Sequence, residues 1–135
     1  QWVQTWGGSN FDGLEQVNVD SSGNLLIVGN YAGTVDMDPG GGTDNHSSNG
    51  LDDAYLVRLS SAGTFQWART WGGDGIDVAL SVAGDSGGNI FVVGVFVDTV
   101  EFAPVNAPCN NNSDQHTSAG GSDAYMINYL SDGCW

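Results

Sequence analysis

The sequence predicts an all-β protein built from two copies of one unit. The segment QWVQTWGG at residues 1–8 returns as QWARTWGG at residues 66–73, and residues 1–39 match the residues 65 places later at 17 of 39 positions. No stretch of useful length has helical periodicity, and 21 glycines further disfavour helices. A repeat of this length is usually one supersecondary unit that buries its apolar face only against a neighbour.

The two repeats are expected to span residues 1–65 and 66–135. Beyond Pro39 the offset between matching residues grows from 65 to 70, so that Tyr55 matches Tyr125. The five additional residues fall within one loop of the second repeat. The sequence therefore indicates two blade-like units, the second with an enlarged loop.

Each repeat is predicted to contain four short strands. Asp20–Asn24 and Asp85–Asn89 favour hairpin turns, because Gly permits positive φ and Asp side chains accept hydrogen bonds from nearby backbone. The apolar runs Leu25–Val28 and Ile90–Val93 are typical of strands that are buried on both faces. The predicted strands are Trp2–Trp6, Leu14–Val19, Asn24–Tyr31 and Ala54–Leu59 in the first repeat, and Trp67–Trp71, Val78–Ala83, Asn89–Val97 and Ala124–Tyr129 in the second.

Four antiparallel strands per unit, one of them doubly buried, are typical of propeller blades. The succession of WART-WGG, VDSSGN-LLIVG, TVDMDPGGGTDNHSSNG and DAYLVRLSSAGTFQW resembles the β-propeller repeat family of secreted and surface proteins of bacteria and some archaea, often called the seven-bladed propeller repeat. The resemblance covers essentially the whole chain. It implies two four-stranded blades in extracellular scaffolding or adhesion modules without a shared active site.

The chain is strongly acidic. Sixteen Asp and Glu residues face two arginines and no lysine, which gives a net charge of −14. Such a surface repels nucleic acid and anionic membranes. No apolar run is long enough to cross a bilayer. The acidity indicates either solubility in an extracellular or saline setting, or carboxylates that hold a hard cation such as calcium.

Two cysteines, Cys109 and Cys134, occur in the second repeat alone. Cys109 lies in the enlarged loop, and Cys134 takes the place of Thr64. We expect a disulfide that ties the C-terminal end to that loop in an oxidising, extracellular compartment. A bridge between subunits is the main alternative, whereas the spacing does not suit a metal site.

Closely spaced carboxylates in the long loop of the first repeat favour calcium coordination by oxygen ligands. The alternative is that these residues simply form turns and cap the following strand. In the second repeat two of the five counterparts, Ala103 and Ser122, lack a carboxylate, so a calcium site is expected in the first repeat alone. The calcium-ligand candidates are Asp36, Asp38, Asp44, Asp52 and Asp53.

Further candidate sites are polar loop asparagines and repeated aromatics. Asn45 and Asn111 each begin an Asn-x-Ser sequon, and both are glycosylation candidates if the source cell performs that chemistry. Tryptophans that recur at fixed strand positions are expected to pack between blades, although exposed Trp and Asp together can also bind sugar. The inter-blade packing candidates are Trp2, Trp6, Trp67, Trp71 and Trp135.

No catalytic motif is recognisable, so we expect a non-enzymatic protein. Two blades alone would expose apolar faces and open strand edges, and oligomerisation is expected to complete the fold. Since Trp135 matches Phe65, the residue before the second repeat begins, Gln1 of another copy could follow in register. We expect a secreted structural protein that assembles head to tail into a filament or array. The alternatives are a ring-forming carbohydrate-binding propeller and an excised part of a longer adhesin.

Overall fold

The computed structural model describes residues 1–103 and 113–135 and shows an all-β chain. Every sheet is antiparallel, and the described residues contain strands, turns and bends but no helix. No segment of the described chain is therefore a helix that could span a membrane. The strands are β1 (Asp12–Val19), β2 (Leu25–Tyr31), β3 (Thr34–Asp36), β4 (Asn45–Ser47), β5 (Asp53–Leu59), β6 (Phe65–Trp71), β7 (Val78–Gly84), β8 (Ile90–Glu101) and β9 (Gln115–Tyr129).

The first sheet has four strands in the order β1-β2-β5-β6. Its inner strand β2 is almost completely buried, as its continuous apolar sequence predicts. The β1–β2 turn is the predicted one: Asp20 Oδ1 accepts hydrogen bonds from the backbone N–H groups of Ser22 and Asn24 at 2.8 and 2.9 Å. Gly23 adopts a φ of 83°, which other residues rarely adopt. The short β3–β4 hairpin forms the connection along the chain between β2 and β5.

The second sheet has three strands in the order β7-β8-β9. Its hydrogen-bonding register copies that of the first sheet, shifted by 65 residues in β7 and β8 and by 70 in β9. The irregularity after Leu14 in β1, for example, recurs after Ala79 in β7. The repeated sequence therefore specifies the same pairing twice. Corresponding pairs include Gln16–Val28 and Ser81–Val93, and Ile27–Val57 and Val92–Ile127. The outer part of the β8–β9 ladder copies the β3–β4 hairpin, as in Val35–His46 and Val100–His116.

The sequence repeat and the sheets are out of phase. The fourth strand of the first sheet is β6, which opens the second repeat and pairs with β5. The matching residues 1–8 form no strand, so the strand predicted at Trp2–Trp6 is not observed. The physical reason is that a strand forms only when it pairs with a neighbouring strand. β6 pairs with β5, whereas residues 2–6 do not pair with β9, the strand that matches β5. The strand predicted at Trp67–Trp71 is observed as β6 but belongs to the first sheet, so the second sheet has three strands instead of four.

The two sheets bury a shared apolar core. Leu26 and Leu56 of the first sheet join Val92 and Ile127 of the second in one cluster, each at most 5% exposed. A second cluster lies on the opposite side of the first sheet, where Ile27 and other apolar residues pack together with Trp6. The junction between the sheets is thus a face-to-face contact of two homologous units. The predicted all-β architecture with antiparallel, blade-like sheets is confirmed.

Candidate assembly interface

At the junction between the sheets, one apolar face of the first sheet is buried against the second sheet. Four side chains of the first sheet supply the apolar surface, and all four are completely shielded from solvent in the core shared with the second sheet. Removing such side chains from water contributes about 1.5–3 kcal/mol for each large residue. The four residues are Leu26, Val28, Ala54 and Leu56, each with 0% exposure.

The same face of the second sheet is open. Phe91 and Val93 in β8 match Leu26 and Val28, and Val93 is 40% exposed. Met126, which matches the fully buried Leu56, is 72% exposed. Ala124, the counterpart of Ala54, is exposed as well. The second sheet therefore presents to solvent a copy of the surface that the first sheet buries. We call Phe91, Val93, Ala124 and Met126 the terminal face.

Two tryptophans occupy equivalent positions on successive sheets. Trp71 is 2% exposed and meets Tyr125 edge to face, with ring centroids 6.0 Å apart. Trp6 meets Tyr55 in the same way at 6.5 Å. Each Trp thus packs on the sheet that follows it in the chain, a favourable aromatic geometry.

The other tryptophans of the predicted packing set are less buried. Trp67 and Trp135 pack partly buried against the core between the sheets. Trp2 is 48% exposed and lies against Gly63. The five aromatics therefore divide between the internal junction, which holds Trp67, Trp71 and Trp135, and the N-terminal segment.

Both arginines lie at the junction between the two sheets. Arg69 Nε donates to the carbonyl of Gly133 at 2.8 Å, and its guanidinium stacks on Trp67. Arg58 pairs with Asp20 at 2.7 Å and also donates to the Ser131 carbonyl. These contacts neutralise acidic charge and satisfy turn carbonyls where the sheets meet. The arginines thereby join the first sheet to the last turn of the second repeat.

The N-terminal segment makes the equivalent contact on the first sheet without a charge. Gln4, which matches Arg69, donates from Nε2 to the carbonyl of Gly63 at 3.0 Å. Gly63 matches Gly133, so the same turn receives the same kind of donor in both repeats. Residues 1–8 therefore lie on the first sheet as β6 lies on the second. They differ from β6 because they have no ladder partner among the described residues.

Asp53 is a buried carboxylate beside the junction. It is 1% exposed, and its Oδ2 accepts hydrogen bonds from the Asn49 backbone and side chain at 3.2 and 3.1 Å. Its Oδ1 is buried without a hydrogen-bond partner in the described structure. Burial above all, and then the nearby carboxylates of Asp77 and Asp52, raise the pKa of Asp53 to about 6.

Two further buried or bonded carboxylates were not singled out by the sequence reasoning. Asp77 is 0% exposed and accepts hydrogen bonds from the backbone of Gly73 at 2.8 Å and Val97 at 3.1 Å. Burial raises its pKa. Asp12 accepts from Gly8 at 2.7 Å in the same arrangement. The signal that could have found both is the identical spacing Trp-Gly-Gly-x-x-x-Asp in the two repeats.

The calcium candidates separate into two places. Asp36, Asp38 and Asp44 lie in or next to the β3–β4 loop, and their contacts are local. Asp36 Oδ1, for example, accepts from the backbone of Asp38 and Asp44 at 3.1 and 2.8 Å. Asp52 immediately precedes β5 and the buried Asp53, and it accepts a hydrogen bond from the Asn30 side chain. In the described part of the chain no group of three or more acidic, His or Cys side chains could hold a metal ion. A calcium site stays a prediction.

The remaining predicted sites are reached only in part. Cys109 and Asn111 lie outside the described residues, so the disulfide and that glycosylation site stay predictions. Cys134 lies in the last turn, where its backbone N–H donates to Asp132 at 2.9 Å. Asn45 is exposed in β4, where a glycan would be accessible.

No protein-family model matches this chain. The chain is similar to the uncharacterized WD repeat-containing protein L264 of Acanthamoeba polyphaga mimivirus, with 25% identity over 112 residues. The match covers 73% of this chain and 8% of that protein, so the chain spans less than a tenth of the relative's length. The likeness supports a propeller-type repeat protein, in agreement with the repeated antiparallel sheets. Membership of the bacterial and archaeal repeat family stays a prediction.

Proposed function

We propose that this chain is a secreted, non-enzymatic structural repeat protein that associates head to tail with further copies of itself. The observation that carries the proposal is the terminal face. Its residues repeat, at offsets of 65 and 70, the residues that the first sheet buries against the second. A second copy presents the matching partner surface on its own first sheet. Head-to-tail contacts of this kind build rings or filaments.

The chemistry of the terminal face fits a protein partner. Met126 and Val93 are apolar and are 72% and 40% exposed, and fully burying a Met or Val side chain stabilises a contact by about 1.5–3 kcal/mol. The partner surface on the first sheet includes Trp6, which occupies the position that Trp71 holds at the internal junction. The association therefore repeats an internal contact between copies instead of creating a new kind of contact.

A second candidate function is that of one segment of a longer propeller. The observation that favours it is the length of the WD repeat-containing relative, of which this chain spans 8%. In that case the terminal face is covered by a following repeat of the same polypeptide. The two candidates use the same surface and differ in whether the occupant is covalently attached.

Light scattering on a dilution series tests the proposal. The unmodified chain is expected to give masses above that of one copy, 14.1 kDa, at micromolar concentrations. Met126→Glu places a charge in the terminal face and is expected to weaken association at least tenfold, because burying an unpaired carboxylate is costly. The matched control is Leu51→Glu, which adds the same charge at a loop residue that is 60% exposed and outside the terminal face.

The results separate the candidates. Association that Met126→Glu weakens and Leu51→Glu leaves intact supports assembly between copies. A chain that stays monomeric at every concentration tested contradicts self-assembly and favours the longer propeller. Equal weakening by the two variants would show that added charge, and not the terminal face, controls association.

A further inference from the structure

We propose that residues Trp2–Trp6 of a second copy add to the free edge of β9 as an antiparallel fourth strand. This inference rests on the proposed function, because it requires two copies to meet head to tail. It goes further by naming the segment, the strand and the residue pairing. The starting observation is that every described ladder of the second sheet copies a ladder of the first sheet or of the β3–β4 hairpin, whereas no copy of the β5–β6 ladder is found among the described residues.

The register follows from the existing β5–β6 pairing. In the first sheet Leu56 pairs with Arg69 and Tyr55 pairs with Thr70. Adding 70 to the β5 number gives the β9 residue, and subtracting 65 from the β6 number gives the N-terminal residue. The resulting pairs between copies are Ala124–Trp6, Tyr125–Thr5, Met126–Gln4, Ile127–Val3 and Asn128–Trp2.

The incoming strand is already held in place on its own copy. Trp6 packs on Tyr55, and Gln4 donates to the Gly63 carbonyl. Val3 is 83% exposed although its counterpart Ala68 in β6 is 3% exposed. The segment therefore keeps an outward side that the corresponding strand buries. Little conformational entropy is lost when a pre-ordered segment pairs, which favours strand addition.

A close glycine contact at the internal junction has a matching pair of residues at the proposed one. A Cβ added to Gly72 would lie 2.3 Å from Asp53 Cγ, so the backbone after β6 passes directly over that carboxylate. Gly7 matches Gly72 and Asp123 matches Asp53. Asp123 lies partly exposed beside the β9 edge. The incoming Gly7 allows the same close approach that no larger residue would permit.

The two residue types of one polar contact also recur at the proposed junction. His46 Nδ1 and Thr70 Oγ1 are 2.9 Å apart, which links the β3–β4 hairpin to the outer strand β6. The counterparts are His116 and Thr5. The His116 side chain is 60% exposed, and its ring contacts Asp114 at 3.0 Å and Phe102. His46 likewise contacts Asp44 through Nε2 and Thr70 through Nδ1, so by analogy the Nδ1 of His116 would contact Thr5 of a second copy.

Cysteine cross-linking between two different variants tests the register. Gln4→Cys is mixed with Met126→Cys under assembly conditions and mild oxidation, and the product is digested and identified by mass spectrometry. Directly opposed residues of an antiparallel pair have Cβ atoms about 4.5–5.5 Å apart, near the range that a disulfide requires. The control mixes Gln4→Cys with Asn128→Cys, which is exposed like Met126 and lies two residues along the same side of β9.

The expected result is at least about tenfold more Gln4–Met126 than Gln4–Asn128 cross-link, since a two-residue displacement moves the Cβ atoms beyond disulfide range. Hydrogen exchange on the unmodified chain supplies a second measurement that needs no variant. The amides on the free edge of β9 and in residues 2–6 are expected to become protected only at concentrations where light scattering shows assembly.

Assembly with equal cross-linking at both positions, or without new protection in β9, would overturn strand addition while leaving head-to-tail stacking intact. Absence of assembly would overturn both. Protection of β9 in a monomeric chain would also refute the proposal, because the strand would then come from the same copy.

Discussion

Asp53 is a candidate calcium ligand by residue type, but its burial raises the pKa of its carboxyl group. Its pKa of about 6 lies above the ordinary value of 3.8, so the folded chain binds this proton more tightly than the unfolded chain does. The resulting stabilisation is fully present below pH 4 and is lost as the pH rises through 6. Above that pH the buried carboxylate is charged, with Oδ1 lacking a hydrogen bond.

Asp53→Asn is expected to stabilise the fold at pH 7 and to reduce the loss of stability between pH 4 and 6. The shift of the pKa corresponds to about 3 kcal/mol at most, at about 1.4 kcal/mol per unit. Urea unfolding at several pH values measures the effect. Part of the pH dependence is expected to remain, because burial also raises the pKa of Asp77.

The control for this prediction is Asp123→Asn, studied at concentrations where the chain is monomeric. Asp123 is the counterpart of Asp53 on the second sheet but is partly exposed, and one of its oxygens accepts from Ala119 at 3.0 Å. Stabilisation by Asp123→Asn as large as that by Asp53→Asn would contradict the argument, since it would point to net charge instead of burial.

The sequence named Asp53 for its spacing from other carboxylates, but spacing along the chain does not report burial. Asp36 and Asp53 are close in sequence, yet one accepts hydrogen bonds within a loop and the other lies under Gly72. The calcium prediction took five residues as one group. The described structure distributes them because β5 starts at Asp53 and carries it into the first sheet.

At the level of strands, the buried Trp71 and the half-exposed Trp2 are expected to contribute differently to the free energy of unfolding. Trp71→Ala is expected to destabilise the chain by about 3–5 kcal/mol, because removing a fully buried Trp leaves a cavity in the core between the sheets. The control is Trp2→Ala, which removes a tryptophan that is 48% exposed and is expected to cost less than about 1 kcal/mol, since surface changes have small effects. Thermal or urea unfolding at low protein concentration measures both.

A loss for Trp2→Ala close to that for Trp71→Ala would show that the N-terminal segment is already as firmly packed as β6. At high concentration, by contrast, Trp2→Ala is expected to weaken association, because Trp2 lies opposite Asn128 in the proposed pairing.

Most of the strands could be predicted from the sequence, whereas their assignment to sheets could not. The turn residues and apolar runs locate β1, β2 and β5 to within a few residues of the predicted bounds. Periodicity within a strand does not reveal which neighbour it pairs with. The sequence repeat begins at Gln1 and Gln66, but the sheet ends at Trp71, because β6 belongs to the ladder of β5. The pairing of β5 with β6, the first strand of the next repeat, is a contact between repeats that local sequence patterns do not predict.

For the whole molecule, the dominant long-range force between copies is repulsion. A net charge of −14 on each copy opposes association. The two arginines that relieve this charge both lie at the internal junction, and their counterparts at the proposed junction between copies are the neutral Gln4 and Asn128. Screening by salt should therefore favour assembly.

Assembly is expected to strengthen when NaCl is raised from about 0.01 M to about 0.15 M, because the screening length falls from about 30 Å to about 8 Å. Light scattering in the presence of a chelator measures this and excludes a contribution from calcium. Weaker assembly at higher salt would show that specific ion pairs, and not apolar burial and strand pairing, hold the copies together. Met126→Glu should increase the salt dependence, since it adds a further charge at the contact.

The phase difference between the sequence repeat and the sheet would also determine how growth of the proposed assembly ends. In the proposed assembly, each copy brings one segment, residues 2–6, that pairs with no strand among the described residues, and one strand, β9, whose outer edge is free in the described sheet. Each added copy pairs one N-terminal segment with one β9 edge and brings one further segment and one further edge. An open assembly of any length therefore has one unpaired segment at one end and one unpaired edge at the other. Elongation alone never reaches a finished particle. Termination requires either that the last copy meet the first or that a different protein with only one of the two ends be added.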